Sequence, residues 1–109
     1  MMAIKEIEKK EWGEYFNSFS KKYLKDEEPE YVEIRVLSDS MGAQQATTWV
    51  LLKGITYDAK GDLLDIRLED SSHIIHKPKE IYVTENKDGW ILNLEVIQED
   101  GTKDIIETR

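Results

Sequence analysis

Three short turns constrain the fold of this chain more than any other feature of its sequence. Each is a four-residue segment that ends in glycine, and Asp or Asn opens the first two. They occupy residues 58–61, 86–89 and 98–101. A type I turn closed by a glycine in the left-handed region is a common hairpin connection. We therefore expect positive φ at Gly61, Gly89 and Gly101, and consecutive antiparallel hairpins rather than βαβ units.

The segments around these turns are predicted to be strands, because their apolar side chains recur at every second position. The first run alternates apolar and charged residues over 32–36, and a polar loop is expected over 38–45. A long β-branched strand follows from Thr47 to Tyr57, with Gly54 in its middle, where glycine often marks a bulge or bend. The further strands are expected at 63–69, 73–76, 81–85, 90–97 and 102–108.

One helix is predicted before the strands, at about residues 8–24. Four aromatic side chains share one stripe of this helix: Trp12, Phe16, Phe19 and Tyr23. The helix ends before Pro29, which cannot continue it. The first three rings of the stripe are expected to be buried against the sheet, because exposing them would leave an aggregation-prone patch.

These elements together predict an α+β fold in a single domain, residues 1–109. The N-terminal helix packs on a curved antiparallel β-meander of about six or seven strands over about 31–108. The meander is expected to form either a small barrel or a strongly bent sheet.

The charge and the cysteine content exclude several classes of function. The chain is acidic, with 15 Lys+Arg and 23 Asp+Glu and a formal net charge of −8. No segment is basic, so neither a nucleic acid nor an anionic membrane is an expected partner. The chain has no cysteine, which excludes disulfides, iron–sulfur clusters and thiolate zinc sites. Because the first residues also lack an export signal, we expect a cytoplasmic protein.

His73 and His76 are the first candidates for a binding site. On a helix, their spacing of three would place both imidazoles on one face, as a metal site requires. The β-branched residues between them favour a strand, which separates them onto opposite faces. The alternative is a local twist that brings one of them beside Asp70 or Glu80, as a two-histidine, one-carboxylate site. On the strand interpretation we expect no metal, and no motif indicates a cofactor.

Met41 and Gln44 are two further binding candidates, in the loop of small and polar residues that precedes the long strand. Met41 is the one apolar side chain without an evident place in the core. It either caps the end of the sheet or contacts a partner.

No catalytic motif is present in the sequence: it has no nucleophile elbow, phosphate-binding loop, dinucleotide fingerprint or zinc-protease helix. The leading hypothesis is therefore a non-enzymatic protein-interaction module that binds another protein or itself, since the terminal strands of a meander can expose an edge. The alternative is a small enzyme, or a small-ligand or metal binder, that uses His73 and His76. A third hypothesis, Sm-like RNA binding, is disfavoured by the net charge.

An ordered set of motifs covers the chain from about Ile7 to Glu107. In chain order they are Glu11-Trp12 with Phe16 and Phe19-Ser20, Gly42-Ala43-Gln44, Gly54-Ile55-Thr56-Tyr57-Asp58, Lys60-Gly61-Asp62, Leu64-Asp65-Ile66, His73, His76 and Pro78 with Ile81-Tyr82-Val83, and Asp100-Gly101-Thr102. This set resembles a bacterial family that is catalogued only as a domain of unknown function. The stretch 25–30 departs from the resemblance by being more acidic. The resemblance implies no activity and no catalytic residue.

Overall fold

One helix and eight strands form from the described residues of the computed structural model, which are 3–25, 31–38, 42–87 and 90–108. The helix α1 spans Trp12–Lys25 and follows a short 3₁₀ turn at Lys9–Glu11. The strands are β1 (Ala3–Ile7), β2 (Tyr31–Ser38), β3 (Gly42–Asp58), β4 (Leu63–Leu68), β5 (Ser72–His76), β6 (Pro78–Glu85), β7 (Ile91–Gln98) and β8 (Lys103–Thr108). The α+β prediction is confirmed, with one strand more than the upper estimate.

The eight strands form one antiparallel sheet in the order β1-β6-β7-β8-β2-β3-β4-β5. Two meanders, β2 to β5 and β6 to β8, are joined by pairing of β2 with β8. Only Lys77 separates the end of β5 from the start of β6, yet β5 is last and β6 is second in the strand order. The sheet must therefore bend strongly to bring these two strands together. The sheet does not close, so the strongly bent sheet is confirmed and the small barrel is wrong.

The additional strand, β1, precedes the helix and pairs with β6. Its two isoleucines, Ile4 and Ile7, are three residues apart, so the alternation that identifies a strand is absent from the sequence. In the structure Ile7 is buried and Ile4 is 75% exposed. The strand is therefore specified by pairing with β6 rather than by its own pattern.

The aromatic stripe of α1 forms the centre of the core between the helix and the sheet. Trp12, Phe16 and Phe19 are all buried, as predicted. The Trp12 indole Nε1 donates a hydrogen bond to the carbonyl oxygen of Ile7 at 2.7 Å, which fixes β1 to the start of the helix.

Among the described residues, no helix has both the length and the apolar character needed to cross a membrane.

The long strand β3 bends where Gly54 was expected to bend it. Its first part pairs with β2 and its second part with β4, and a register shift lies between Leu52 and Gly54. The Ser20 hydroxyl of α1 donates to the Ile55 carbonyl oxygen at 2.7 Å and accepts from the Ile55 amide at 3.0 Å. A helix side chain thus satisfies the backbone at the bend. The strand begins at Gly42, so the loop expected over 38–45 is wrong in its second half.

The turn glycines follow the prediction only in part. Gly101 has φ of 93°, as expected, and Gly89 lies outside the described residues. The prediction is wrong for Gly61, because the left-handed residue of that turn is Asp62, with φ of 51°. The Asp62 carboxylate accepts a hydrogen bond from the Tyr57 hydroxyl, and its carbonyl oxygen accepts one from the Lys77 amide. These two bonds hold a non-glycine residue in a conformation that it adopts less readily than glycine does.

Replacing Gly101 with alanine is expected to lower the free energy of unfolding by about 1–2 kcal/mol, because its φ of 93° is strained for any residue with a Cβ. Gly13 is the matched control, since a Cβ there meets nothing within 4 Å. Gly13→Ala is expected to raise the free energy of unfolding by up to about 1 kcal/mol. Urea unfolding of both variants measures the two effects, and equal signs would contradict the prediction.

Candidate functional site

The free edges of the sheet lie at β1 and β5, since these strands end the strand order of the described residues. The strands expected to begin and end the predicted meander, β2 and β8, instead pair with each other in the interior of the sheet. The candidate edge is therefore elsewhere than the sequence indicated.

Strand β5 uses alternate residues to bond β4. The Lys77 amide donates to the Asp62 carbonyl oxygen and the Leu68 amide donates to the Ser71 carbonyl oxygen, both at 2.8 Å. With Leu64 opposite Ile75, this register directs the backbone groups of the odd-numbered residues toward β4. The amides and carbonyl groups of Ser72, Ile74 and His76 therefore point away from β4. We call these outward backbone groups the β5 edge.

The side chains along the β5 edge are uncharged or weakly basic. Ser72, Ile74 and His76 are exposed, and Ile74 is one of the exposed large apolar residues among those described. Natural edge strands are commonly protected by lysine, other charges or proline. None of these residue types occurs within Ser72–His76.

The other edge strand, β1, has the charges that β5 lacks. Lys5 and Glu6 occupy its centre, and the Lys5 ammonium lies 3.1 Å from the Glu85 carboxylate on β6. Ile4 on the same strand is highly exposed. The two edges thus both present an isoleucine, but only β1 carries charged residues that oppose strand addition.

The two histidines lie on opposite faces of β5, as the strand prediction required. His76 is exposed, whereas His73 points inward beside the buried Ile75. The His73 Nε2 lies 2.8 Å from the Asp104 Oδ2 of β8, and Asp104 is only 2% exposed. In the Nε2-protonated tautomer of His73, the imidazole donates and the carboxylate accepts in this contact.

The Asp104 carboxylate is satisfied on both oxygens. Its Oδ1 accepts a hydrogen bond from the Gln98 side-chain amide at 2.7 Å, and its Oδ2 faces His73. This buried carboxylate on β8 thus links His73 of β5 with Gln98 of β7. This arrangement positions side chains, and no substrate-sized space separates them.

Sequence reasoning considered Asp70 and Glu80 as partners for the histidines and missed Asp104. Asp104 lies two residues before the buried Ile106, on the same face of β8. An acidic residue at a position where the alternation predicts a buried side chain was the sequence signal that could have identified it. Within the described parts of the chain, no group of three or more metal-ligating side chains converges.

An open cleft of about 460 Å³ lies at the carboxyl end of β5. The described residues that line it are His76, Lys77, Gln98, Glu99 and Asp100. Its wall is formed by the β5–β6 junction and the β7–β8 turn, where the Glu99 amide donates to the Lys77 carbonyl oxygen at 3.1 Å. The cleft holds charges of both signs, with Lys77 facing Glu99 and Asp100 in its lining.

The other two binding candidates are Met41 and Gln44. Met41 lies outside the described residues. Gln44 belongs to β3, where its backbone is opposite Val36 of β2. The β2–β3 pairing is in the interior of the strand order, away from both free edges.

Two tyrosine hydroxyls bond carboxylates, one from the helix to the sheet and the other within the β3–β4 hairpin. The Tyr15 hydroxyl of α1 donates to the Glu85 carboxylate, and the Tyr57 hydroxyl donates to Asp62 at 2.7 Å. The pKa of Tyr57 is raised to about 12, mainly by burial and next by the hydrogen bond to Asp62. Burial and Glu85 likewise raise the pKa of Tyr15. The hydrogen bond from Tyr57 in turn lowers the pKa of Asp62.

The stability of the protein is expected to fall between about pH 10 and pH 12, because Tyr57 keeps its proton in the folded state after an unfolded tyrosine has lost it. Its contribution is complete below pH 10 and disappears as the pH rises through the folded-state value. Tyr57→Phe is therefore expected to make the decline shallower, while the decline due to Tyr15 remains. Urea unfolding of both proteins from pH 8 to pH 11.5 measures this, and identical slopes would contradict it.

Comparisons with known proteins agree with the motif resemblance. A family model described as "Family of unknown function (DUF5335)" matches residues 3–109. An uncharacterized protein from the bacterium Aquifex aeolicus (strain VF5) is 36% identical over 109 residues, which cover 99% of this chain and 94% of that protein. No solved structure matches the chain significantly. The expected resemblance to an uncharacterised bacterial family is confirmed.

Proposed function

We propose that this chain, which belongs to the family of unknown function DUF5335, is a non-enzymatic protein-interaction module that binds an extended segment at the β5 edge. The observation that carries the proposal is the outward direction of the backbone groups of Ser72, Ile74 and His76 on a strand that ends the described sheet. An extended segment there gains main-chain hydrogen bonds, and contacts with alternate side chains give specificity. The cysteine-free composition suits the reducing cytoplasm, where we propose that the module acts.

The chemistry of β5 supports strand addition over binding by a side-chain surface. The exposed side-chain face of β5 combines one isoleucine with a small and an aromatic polar residue, Ser72 and His76. A partner strand therefore meets no charged side chain that it must desolvate. Its inward face is anchored by Ile75, which is buried, and by the contact of His73 with Asp104. A strand fixed on one face and open along its edge is preorganised for a ninth strand, because little backbone freedom is lost on binding.

The test is capture of a partner by the wild-type protein with and without crosslinking, followed by hydrogen exchange on the complex. The amides of Ser72, Ile74 and His76 are expected to exchange rapidly in the free protein and to become protected in the complex. Protection confined to other strands would disprove the proposed edge.

Ile74→Lys is the variant that separates edge binding from other contacts, because a lysine on an edge strand opposes pairing. Ile74 is 38% exposed, so the fold is expected to tolerate the change. Ile4→Lys on β1 is the matched control at the other edge. Loss of the partner with Ile74→Lys alone supports the proposal, and equal capture by both variants contradicts it.

A small-ligand site is the second candidate function, and the cleft beside His76 is the observation that favours it. His73 is not among the described lining residues, so the two histidines do not act together there. A ligand in the cleft would contact His76, Lys77 and Gln98. Chemical-shift changes confined to these residues during a screen of small molecules would favour this candidate over the first.

A further inference from the structure

The β5 edge has a register that suits a two-fold axis. Ile74 is the middle residue of the five in β5, and its backbone groups point outward. When two antiparallel copies pair about this residue, Ile74 bonds Ile74 of the other copy and Ser72 bonds His76. The Ser72–His76 pair occurs twice because of the two-fold axis, which gives three pairs, and all three are of the hydrogen-bonded kind. This single register therefore uses every outward backbone group and forms about six backbone hydrogen bonds.

The side chains are compatible with the same register. The two Ile74 side chains lie beside each other on one face, with Cα atoms about 5.5 Å apart, and shield each other from water. Ser72 faces His76, so no like charges are directly opposed. This property matters in a chain of net charge −8, because most surfaces of two such chains repel each other.

The charges that flank β5 have a polarity that an antiparallel pair complements. Exposed Glu69 and Asp70 precede the strand, and exposed Lys77 and Lys79 follow it. A two-fold axis at Ile74 brings the acidic end of each copy toward the basic end of the other. Glu99 and Asp100 line the cleft beside Lys77 and reduce this attraction without reversing the polarity along the strand itself.

We infer that the segment added at the β5 edge is β5 of a second copy of this chain, an inference that rests on the proposed function. The contact is short, at five residues from each copy. It is therefore below the size of a standard stable interface, and a weak dimer that exchanges rapidly is expected.

The absence of cysteine from the sequence makes single-cysteine crosslinking a clean test. In the inferred dimer the Cα atoms of residue 74 are about 5.5 Å apart, within the range that a disulfide spans. Under mild oxidation, full-length Ile74→Cys is expected to form a disulfide-linked dimer at least roughly tenfold faster than Ile4→Cys, because pairing raises the effective thiol concentration. Ile4 is the matched control, since it is the more exposed isoleucine and lies on the other edge.

The register is tested with two more variants. Ser72→Cys is about 13 Å from its own counterpart in the inferred dimer, too far for a disulfide, and His76→Cys is equally far from its own. Each is expected to crosslink slowly alone, whereas an equal mixture gives the heterologous 72–76 dimer rapidly. Equal rates for the mixture and the single variants would overturn the register.

The outcomes for the second copy and for the proposed function are distinguishable. If Ile74→Cys dimerises no faster than Ile4→Cys, the second copy is excluded. The proposed function then still stands if Ile74→Lys abolishes capture of another protein. Rapid crosslinking with the expected register supports the second copy, whatever other proteins are captured.

Discussion

Phe16→Ala is expected to lower the free energy of unfolding by about 3–5 kcal/mol, the usual cost of truncating a fully buried phenylalanine. Phe16 is 0% exposed at the centre of the helix stripe, and its ring meets the Tyr15 ring edge-on with centroids 5.2 Å apart. Truncation removes the apolar surface that holds α1 on the sheet and leaves a cavity that the surrounding strands fill only in part. Urea unfolding of the two proteins measures the change.

The control for this prediction is Ile4→Ala, which also removes a large apolar side chain. Ile4 is 75% exposed, so its truncation is expected to change the free energy of unfolding by no more than about 0.5 kcal/mol. Gly13 in the first turn of the helix lowers its intrinsic helical stability, so packing rather than propensity must hold α1 in place. A loss below 1 kcal/mol for Phe16→Ala would show that this packing contributes little.

Local periodicity was sufficient to predict the helix and most strands. The aromatic stripe predicted which side of α1 is buried, because residues three and four apart share a helix face. The hairpins followed from turns such as 98–101, since strands joined by a short turn pair with each other. These predictions were correct because each depends on residues that are near in sequence.

The pairings of β2 with β8 and of β1 with β6 were not predictable in the same way. Each joins segments about 70–80 residues apart, and no short-range pattern specifies which distant strand pairs with which. The predicted edges were misplaced for this reason. Asp62 shows the same limit on a smaller scale, since its left-handed conformation is stabilised by Tyr57 and by Lys77, which belongs to the next turn but one.

One feature of the sequence did indicate that β5 has an exposed apolar side chain. Ile74 and Ile75 are consecutive, and consecutive residues of a strand point to opposite faces, so both can be buried only in a strand that is covered on both sides. In a single bent sheet with one helix, one of the two must face outward, and it is Ile74. A comparable feature indicated Asp104, as an acid two residues before Ile106. The partner of Asp104, His73, lies 31 residues away, so no local pattern could identify it.

His73→Ala is expected to lower the free energy of unfolding by about 2–4 kcal/mol, because it leaves the Asp104 carboxylate buried with Gln98 as its remaining partner. Asp104 is only 2% exposed, so water does not replace the imidazole as a hydrogen-bond partner. His76→Ala, on the exposed face of the same strand, is the matched control and is expected to change stability by less than about 0.5 kcal/mol. Thermal and urea unfolding at neutral pH measure both variants.

A second substitution identifies the mechanism of this loss. Asp104→Asn is expected to be destabilising in the wild-type protein, since it weakens the contact with His73. In the His73→Ala background the same change is expected to restore stability, because a neutral amide costs less to bury than a carboxylate without its imidazole and still accepts the Gln98 hydrogen bond. Asp104→Asn thus reverses sign between the two backgrounds if burial of the charge is the cause. Equal destabilisation in both would mean that His73 contributes by filling space rather than by pairing with Asp104.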